Sequence, residues 1–197
     1  QAEQKGALPK VVIPVHMCGQ SCDMQAIHSL SRKYGFSIIE DASHAIGGYY
    51  RNEPIGCCRY SDITVFSFHP VKIITTAEGG VAVTNNQALA DKMRLLRSHG
   101  ITRDLSGSGK RRAASLEREA QMNSSQAASD SMFHACPVEL TERDSEAHST
   151  RALCSMPFYY EQLDLGYNYR MTDLQAALGL SQLEKLDEFV DRRHELA

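Results

Sequence analysis

An α/β fold, with a mostly parallel sheet flanked by helices, is what this sequence predicts. Three observations lead there. Short, nearly uninterrupted apolar runs recur along the first hundred residues, helical patterns with capping signals alternate with them, and the carboxyl ends of the runs carry polar residues. VVIPV, residues 11–15, reads as a buried strand with a proline near its end. GQSCDMQAIHSLSRKYG then reads as a loop and a helix, capped by Ser21 or Asp23 and stopped by Gly35. FSIIED is the second strand and ends in two carboxylates. ASHAIGGYYRNEPIG reads as loop, DITVFSF as the third strand and GGVAVTN as the fourth. NQALADKMRLLRSHG is a helix closed by Gly100. Beyond residue 156, Thr172 or Asp173 can cap a further helix. Leu174, Ala177, Leu178 and the run from Leu180 to Leu183 give it a buried stripe, and Leu186, Phe189 and Val190 follow as a second apolar run.

Residues 105–156 break this regularity. They are rich in Ser, Ala and mixed charge, with one short, weak helical pattern, and are expected to be a mobile insertion rather than a second domain. RRAAS, ending at Ser115, has the form of a basophilic kinase site but lies in this solvated stretch. On this reading residues 1–104 begin one large domain and residues 157–197 continue it. The chain starts just before a core strand and stops within a helical pattern, so a fragment of a longer enzyme is expected. The net charge of −3 and a composition of 42% hydrophobic and 23% charged residues point to an ordinary globular protein with no nucleic-acid or membrane partner. The six cysteines lack the paired spacing of a zinc site, so no metal is expected. They read as free thiols of a cytoplasmic protein.

Five positions carry chemical interest. Lys72 lies among apolar residues in VFSFHPVKIITTAEGG, residues 65–80. A lysine amine desolvated by such neighbours can act as a nucleophile towards an aldehyde. A lysine whose stem covers apolar surface while its head reaches water fits the same pattern. Asp41 ends the second strand, where ligands bind in α/β sheets; it can face a cationic group, or it can cap a loop. Ser67 ends the third strand five residues before Lys72 and can hold a phosphate or cap a turn. Gly79 and Gly80 can admit a ligand or serve a tight turn. A lysine, a carboxylate and a hydroxyl at neighbouring strand ends are together what pyridoxal phosphate needs: an amine for its aldehyde, a partner for its ring nitrogen and a donor for its phosphate.

The segments EDASHAIGG, SDITVFSFHPVKIITTAEGGVAVTN, LRSHGITRD and GYNYRMTDLQAALGLSQL closely resemble the DegT/DnrJ/EryC1/StrS family of sugar aminotransferases. IPVHMCGQSCDM is similar to the branch that serves pseudaminic acid biosynthesis. The resemblance covers residues 11–104 and 157–197. It implies the aspartate-aminotransferase fold (fold type I), incomplete at both ends and lacking the small C-terminal domain. Pyridoxal 5′-phosphate is the implied cofactor. The implied reaction moves the amino group of glutamate to C4 of a UDP-linked 4-keto-6-deoxysugar. By the same resemblance Lys72 is the Schiff-base lysine, Asp41 the pyridinium partner and Ser67 a phosphate ligand. His44 stands near the ring and its 3′-oxygen, where many relatives carry glutamine. Asn168, in GYNYR, reaches the cofactor phosphate of the neighbouring subunit, which implies a homodimer.

The sequence departs from the family in two ways. The N-terminal segment with its phosphate loop is absent, and the insertion stands where relatives have a shorter link. Two rival readings remain at this level. One is a sugar 3-dehydratase using the same cofactor; in that branch histidine replaces the lysine, whereas Lys72 is present. The other is an inactive truncated fragment or interaction module. A nicotinamide-binding domain is disfavoured, because no Gly-x-Gly-x-x-Gly follows a strand.

Overall fold

The computed structural model describes residues 3–103 and 160–197. The 105–156 insertion, the RRAAS motif, Cys136 and Cys154 lie outside those residues. By its internal contacts the chain divides into two compact units, residues 1–94 with 169–197, and residues 95–168.

The first unit is built on a four-stranded sheet of order β1-β2-β5-β6. Its strands are β1 (Val11–Val12), β2 (Ser37–Asp41), β5 (Ile63–Ser67) and β6 (Gly80–Val83). β1, β2 and β5 are parallel, with Val12 opposite Ile38 and Asp41 opposite Val65. β6 runs antiparallel to β5, with Ser67 opposite Gly80. The connection from β5 to β6, residues 68–79, holds no helix, and a parallel return needs a crossover that is usually helical. The sheet is therefore mixed but mostly parallel.

The expected strand over 11–15 is shorter than its apolar run. The ladder stops at Val12 and returns as a single bridge between Val15 and Asp41. Pro14 has no N–H to donate, yet its carbonyl accepts the Asp41 N–H at 2.9 Å.

α1 (Met24–Tyr34) links β1 to β2. Asp23 caps it by accepting from the Ala26 N–H at 3.3 Å, and Gly35 ends it at φ 78°, a left-handed conformation that glycine adopts without penalty. α1 packs Met24 against Phe36 and Ile38 in the main apolar core; Met24 and Ile38 are each 1% exposed. The stretch expected as plain loop contains a hairpin, β3 (Tyr49–Tyr50) and β4 (Glu53–Pro54). Its two turn residues, Arg51 and Asn52, have φ of 49° and 64°. That is the turn usually signalled by Asn-Gly, and Arg-Asn hides it.

α2 (Gln87–Arg97) leads from the first unit into the second. In the second unit β7 (Ile101–Thr102) pairs antiparallel with β8 (Glu161–Gln162). The Tyr167 N–H donates to the Leu96 carbonyl at 2.7 Å, and the His99 N–H donates to the Tyr167 carbonyl at 2.8 Å.

Two helices complete the first unit, α3 (Asp173–Leu183) and α4 (Leu186–Leu196). Thr172 caps α3 in a reciprocal box with Gln175. The stripe expected to be buried on α3 is not buried. None of its residues is, and Leu174 and Leu180 are 85% and 66% exposed. Its apolar residues are spread around the whole helix rather than along one face, so no single contact can cover them. On α4, Leu186 and Val190 pack towards Gly47 and are half-buried. No helix among the described residues is long and apolar enough to cross a membrane.

Candidate active site

Three parallel neighbours present their carboxyl ends along one edge of the sheet, and the loops leaving them converge. The loop after β1 brings Cys18, the loop after β2 brings Ser43 and His44, and the loop after β5 brings Lys72. With Val190 and Arg193 of α4 they line an open cleft of about 560 Å³. That size and composition suit a small-molecule cofactor or substrate.

Lys72 is half-buried on a bend of the β5–β6 loop, its N–H donating to the His69 carbonyl at 2.9 Å. This loop is pinned at its base. Phe68 donates its N–H to Gly79 at 2.8 Å and its carbonyl accepts from the Thr76 N–H at 3.0 Å, while Ile74 and Thr76 are buried beneath. Lys72 thus rides on an anchored segment, with Ile73 half-buried beside it and Val71 exposed.

Asp41 closes β2 and is half-buried. Its Oδ1 accepts the Ser43 N–H at 3.1 Å in a local Asx turn. The Ser43 hydroxyl holds the carboxyl below the usual carboxylate range. Burial opposes this, while the Ser43 N–H and the charges of His44 and Lys72 reinforce it. Asp41 is therefore ionised at neutral pH and feels Lys72 across the strand ends. His44 Nδ1 accepts the Cys18 N–H at 3.3 Å, so in the neutral ring the hydrogen sits on Nε2. Cys18 reaches this position with a left-handed backbone, φ 54°.

The structure thus brings Lys72 and His44 to one cleft, with Asp41 close enough to feel the charges of both though it does not itself line the cleft. Ser67 ends β5, with its hydroxyl accepting the His69 N–H at 3.4 Å, and is not among the side chains lining the cleft. Asn168 belongs to the second unit, where it bridges Ser98. Sequence reasoning missed the loop after β1, Ser43 and the α4 residues. The first was findable, because the rule that ligands gather beyond strand carboxyl ends applies to β1 as much as to β2 and β5.

The donor set suits a cofactor with an aldehyde and a basic ring nitrogen: one amine, one ionised carboxylate and one ring N–H beside a cleft of adequate volume. The model of the DegT/DnrJ/EryC1/StrS aminotransferase family matches residues 3–132 and 139–197. The chain belongs to that family. It is 36% identical over 183 residues to the UDP-4-amino-4,6-dideoxy-N-acetyl-beta-L-altrosamine transaminase of Campylobacter jejuni, covering 93% of this chain and 35% of that protein. Among solved structures it is similar to the Helicobacter pylori aminotransferase PseC, involved in the biosynthesis of pseudoaminic acid. The TM-score is 0.62 at 29% identity, over 93% of this chain and 36% of PseC. A putative sugar aminotransferase of Streptococcus pneumoniae in its PMP form shares the fold, with a TM-score of 0.63 at 24% identity over 98% of this chain and 43% of that one. The family chain thus spans little more than a third of the length of the transaminase and of PseC. Its fold is that of the pyridoxal-phosphate aminotransferases.

Proposed function

We propose that this chain supplies the lysine and the ring-facing carboxylate of a pyridoxal-phosphate transaminase acting on a UDP-linked 4-keto-6-deoxysugar, with glutamate as amino donor. The observation that carries the reading is the convergence of Lys72, His44 and an ionised Asp41 at the carboxyl ends of two adjacent parallel strands. The likeness to the Campylobacter jejuni transaminase supports the sugar-nucleotide class.

When bound, pyridoxal phosphate supplies an aldehyde and an electron-withdrawing ring. Lys72 Nζ would hold that aldehyde and, as a free amine, would move a proton to or from the carbon that bears the amino group. The Asp41 carboxylate would keep the ring nitrogen protonated, and His44 would offer its Nε2–H beside the ring. Ser67 and, from a second copy of the chain, Asn168 would bind the phosphate, which would make the working form a homodimer with two shared sites. The enzyme acts in the cytoplasm, where nucleotide sugars and glutamate are available.

The test uses the intact protein that contains this chain. With added pyridoxal phosphate it should develop a visible absorbance band, and borohydride should fix the cofactor to Lys72. Lys72→Ala should abolish both, together with transamination. Lys72→Arg should fail equally, because guanidinium stays protonated and cannot attack an aldehyde. A Lys72→Ala protein that still traps cofactor and turns over would overturn the assignment.

A further inference from the structure

One residue before Asp41, and pointing the opposite way along β2, lies a carboxylate that the proposed chemistry does not use. Glu40 is 5% exposed and His16 is fully buried, with His16 Nε2 and Glu40 Oε2 2.8 Å apart. His16 Nδ1 accepts the Cys22 N–H at 3.3 Å, so the ring hydrogen is on Nε2 and is donated to Glu40. The other Glu40 oxygen, Oε1, accepts from the Ser61 hydroxyl and from the Thr64 hydroxyl at 3.2 Å. Thr64 is fully buried on β5. One carboxylate therefore joins the segment after β1, β2, the turn before β5 and β5 itself.

His16 grips the same strand twice. Its N–H donates to the Asp41 carbonyl at 3.0 Å, two residues along from Pro14, whose carbonyl takes the Asp41 N–H at 2.9 Å. A buried hydrogen-bonded pair of this kind is poor evidence for stability, since apolar side chains of equal bulk often do as well. What such a pair supplies is register. Side chains alternate along a strand, so a slip of one residue would turn Asp41 into the interior and Glu40 to the other face.

We infer that His16 and Glu40 are positioning residues that lock the register of β2 and so fix the Asp41 carboxylate against Lys72 and His44. The inference rests on the reading of Asp41 as the ring-facing carboxylate.

The experiment compares Glu40→Gln and Glu40→Leu in the intact protein, each with and without Asp41→Asn. It measures pyridoxal phosphate affinity by absorbance titration, kcat, and thermal midpoint. Glu40→Gln keeps an acceptor for His16 and a polar group for the two hydroxyls, and should bind cofactor within about threefold of wild type. Glu40→Leu keeps the bulk but no acceptor, and should weaken cofactor binding about tenfold or more and lower kcat. In the Asp41→Asn background the same change should cost almost nothing further, because the group it positions is gone. Equal losses in both backgrounds, or wild-type affinity in a folded Glu40→Leu protein, overturn the inference. If Glu40→Leu does not fold, Thr64→Val, which removes one donor and keeps the shape, carries the same comparison with an expected loss of about threefold. A protein indifferent to Asp41→Asn itself overturns the underlying reading instead, so the two failures are distinguishable.

Discussion

β2 and α3 are both apolar segments of the first unit, yet they are held in different ways. β2 buries Ile38 to 1% and Glu40 to 5% exposure, and every buried side-chain nitrogen or oxygen among the described residues has a partner. α3 buries nothing. It is fixed at its amino end by hydrogen bonds: the box between Thr172 and Gln175, and a bond from Gln175 Nε2 to the Glu78 carbonyl at 2.9 Å. Along its length Gly179 lies close to the first unit's Thr76: a Cβ there would meet Thr76 Cγ2 at 2.7 Å. Packing sets β2, and local bonds set α3. Where packing sets a strand, substitutions on its two faces separate stability from chemistry; where local bonds set a helix, its cap carries the weight.

The largest effect should come at the end of β2. Asp41→Asn keeps the size of the side chain and an acceptor for the Ser43 N–H. It should leave the thermal midpoint close to wild type, yet lower kcat by more than about 10²-fold, because a neutral amide cannot hold a ring nitrogen protonated. Steady-state kinetics beside a melting curve read both. Near-normal turnover would show that the carboxylate only shapes its turn.

The opposite face of the strand should answer to acid. Burial raises the Glu40 pKa, but the hydrogen bonds from His16, Ser61 and Thr64 outweigh it, holding the carboxyl below its ordinary 4.5. The folded chain thus binds this proton more weakly than the unfolded chain, and protons favour unfolding. The stabilisation is full above pH 4.5 and disappears as pH falls through the lower folded value. Melting curves taken from neutral pH downward should show wild type losing stability below that point, and Glu40→Gln losing less. Parallel curves would mean that the carboxylate is not the group being titrated.

These differences also mark what the sequence could reveal. β2, β5 and α1 were legible because each rests on local signals, an apolar run or a cap, and the same kind of signal, a polar residue at a strand's carboxyl end, made Lys72 and Asp41 candidates. The β3–β4 hairpin was not, since Arg51 and Asn52 take left-handed conformations without the glycine that announces them. Nor was the reversal of β6, which depends on what fills residues 68–79. The carboxylates of FSIIED were visible as a pair, but the buried setting of Glu40 was not. It depends on His16, twenty-four residues earlier, and on Ser61 and Thr64, which only the fold brings to Glu40. The stripe assigned to α3 failed for a related reason. Periodicity shows which residues are apolar, and burial depends on what stands opposite.

The smallest expected effect lies on α3. The Thr172 hydroxyl accepts the Gln175 N–H at 3.3 Å, and Gln175 Oε1 in turn accepts the Thr172 N–H at 2.9 Å. Thr172→Ala removes the hydroxyl half of that box and should cost about 1 kcal/mol, the usual loss for an N-cap. In β2 a loss of that size is shared with the whole packed sheet, because strand and core open together. In α3 it should appear locally. Amide exchange in residues 173–183 should quicken by roughly fivefold, while the amides of β2 and β5 keep their wild-type protection. Gln175→Ala should reproduce the effect and add to it, since it also removes the bond to the Glu78 carbonyl that ties the helix to the turn before β6. Uniform quickening across β2 and α3 in the Thr172→Ala protein would show that the helix opens with the core, and the contrast between packed strand and capped helix would then be wrong.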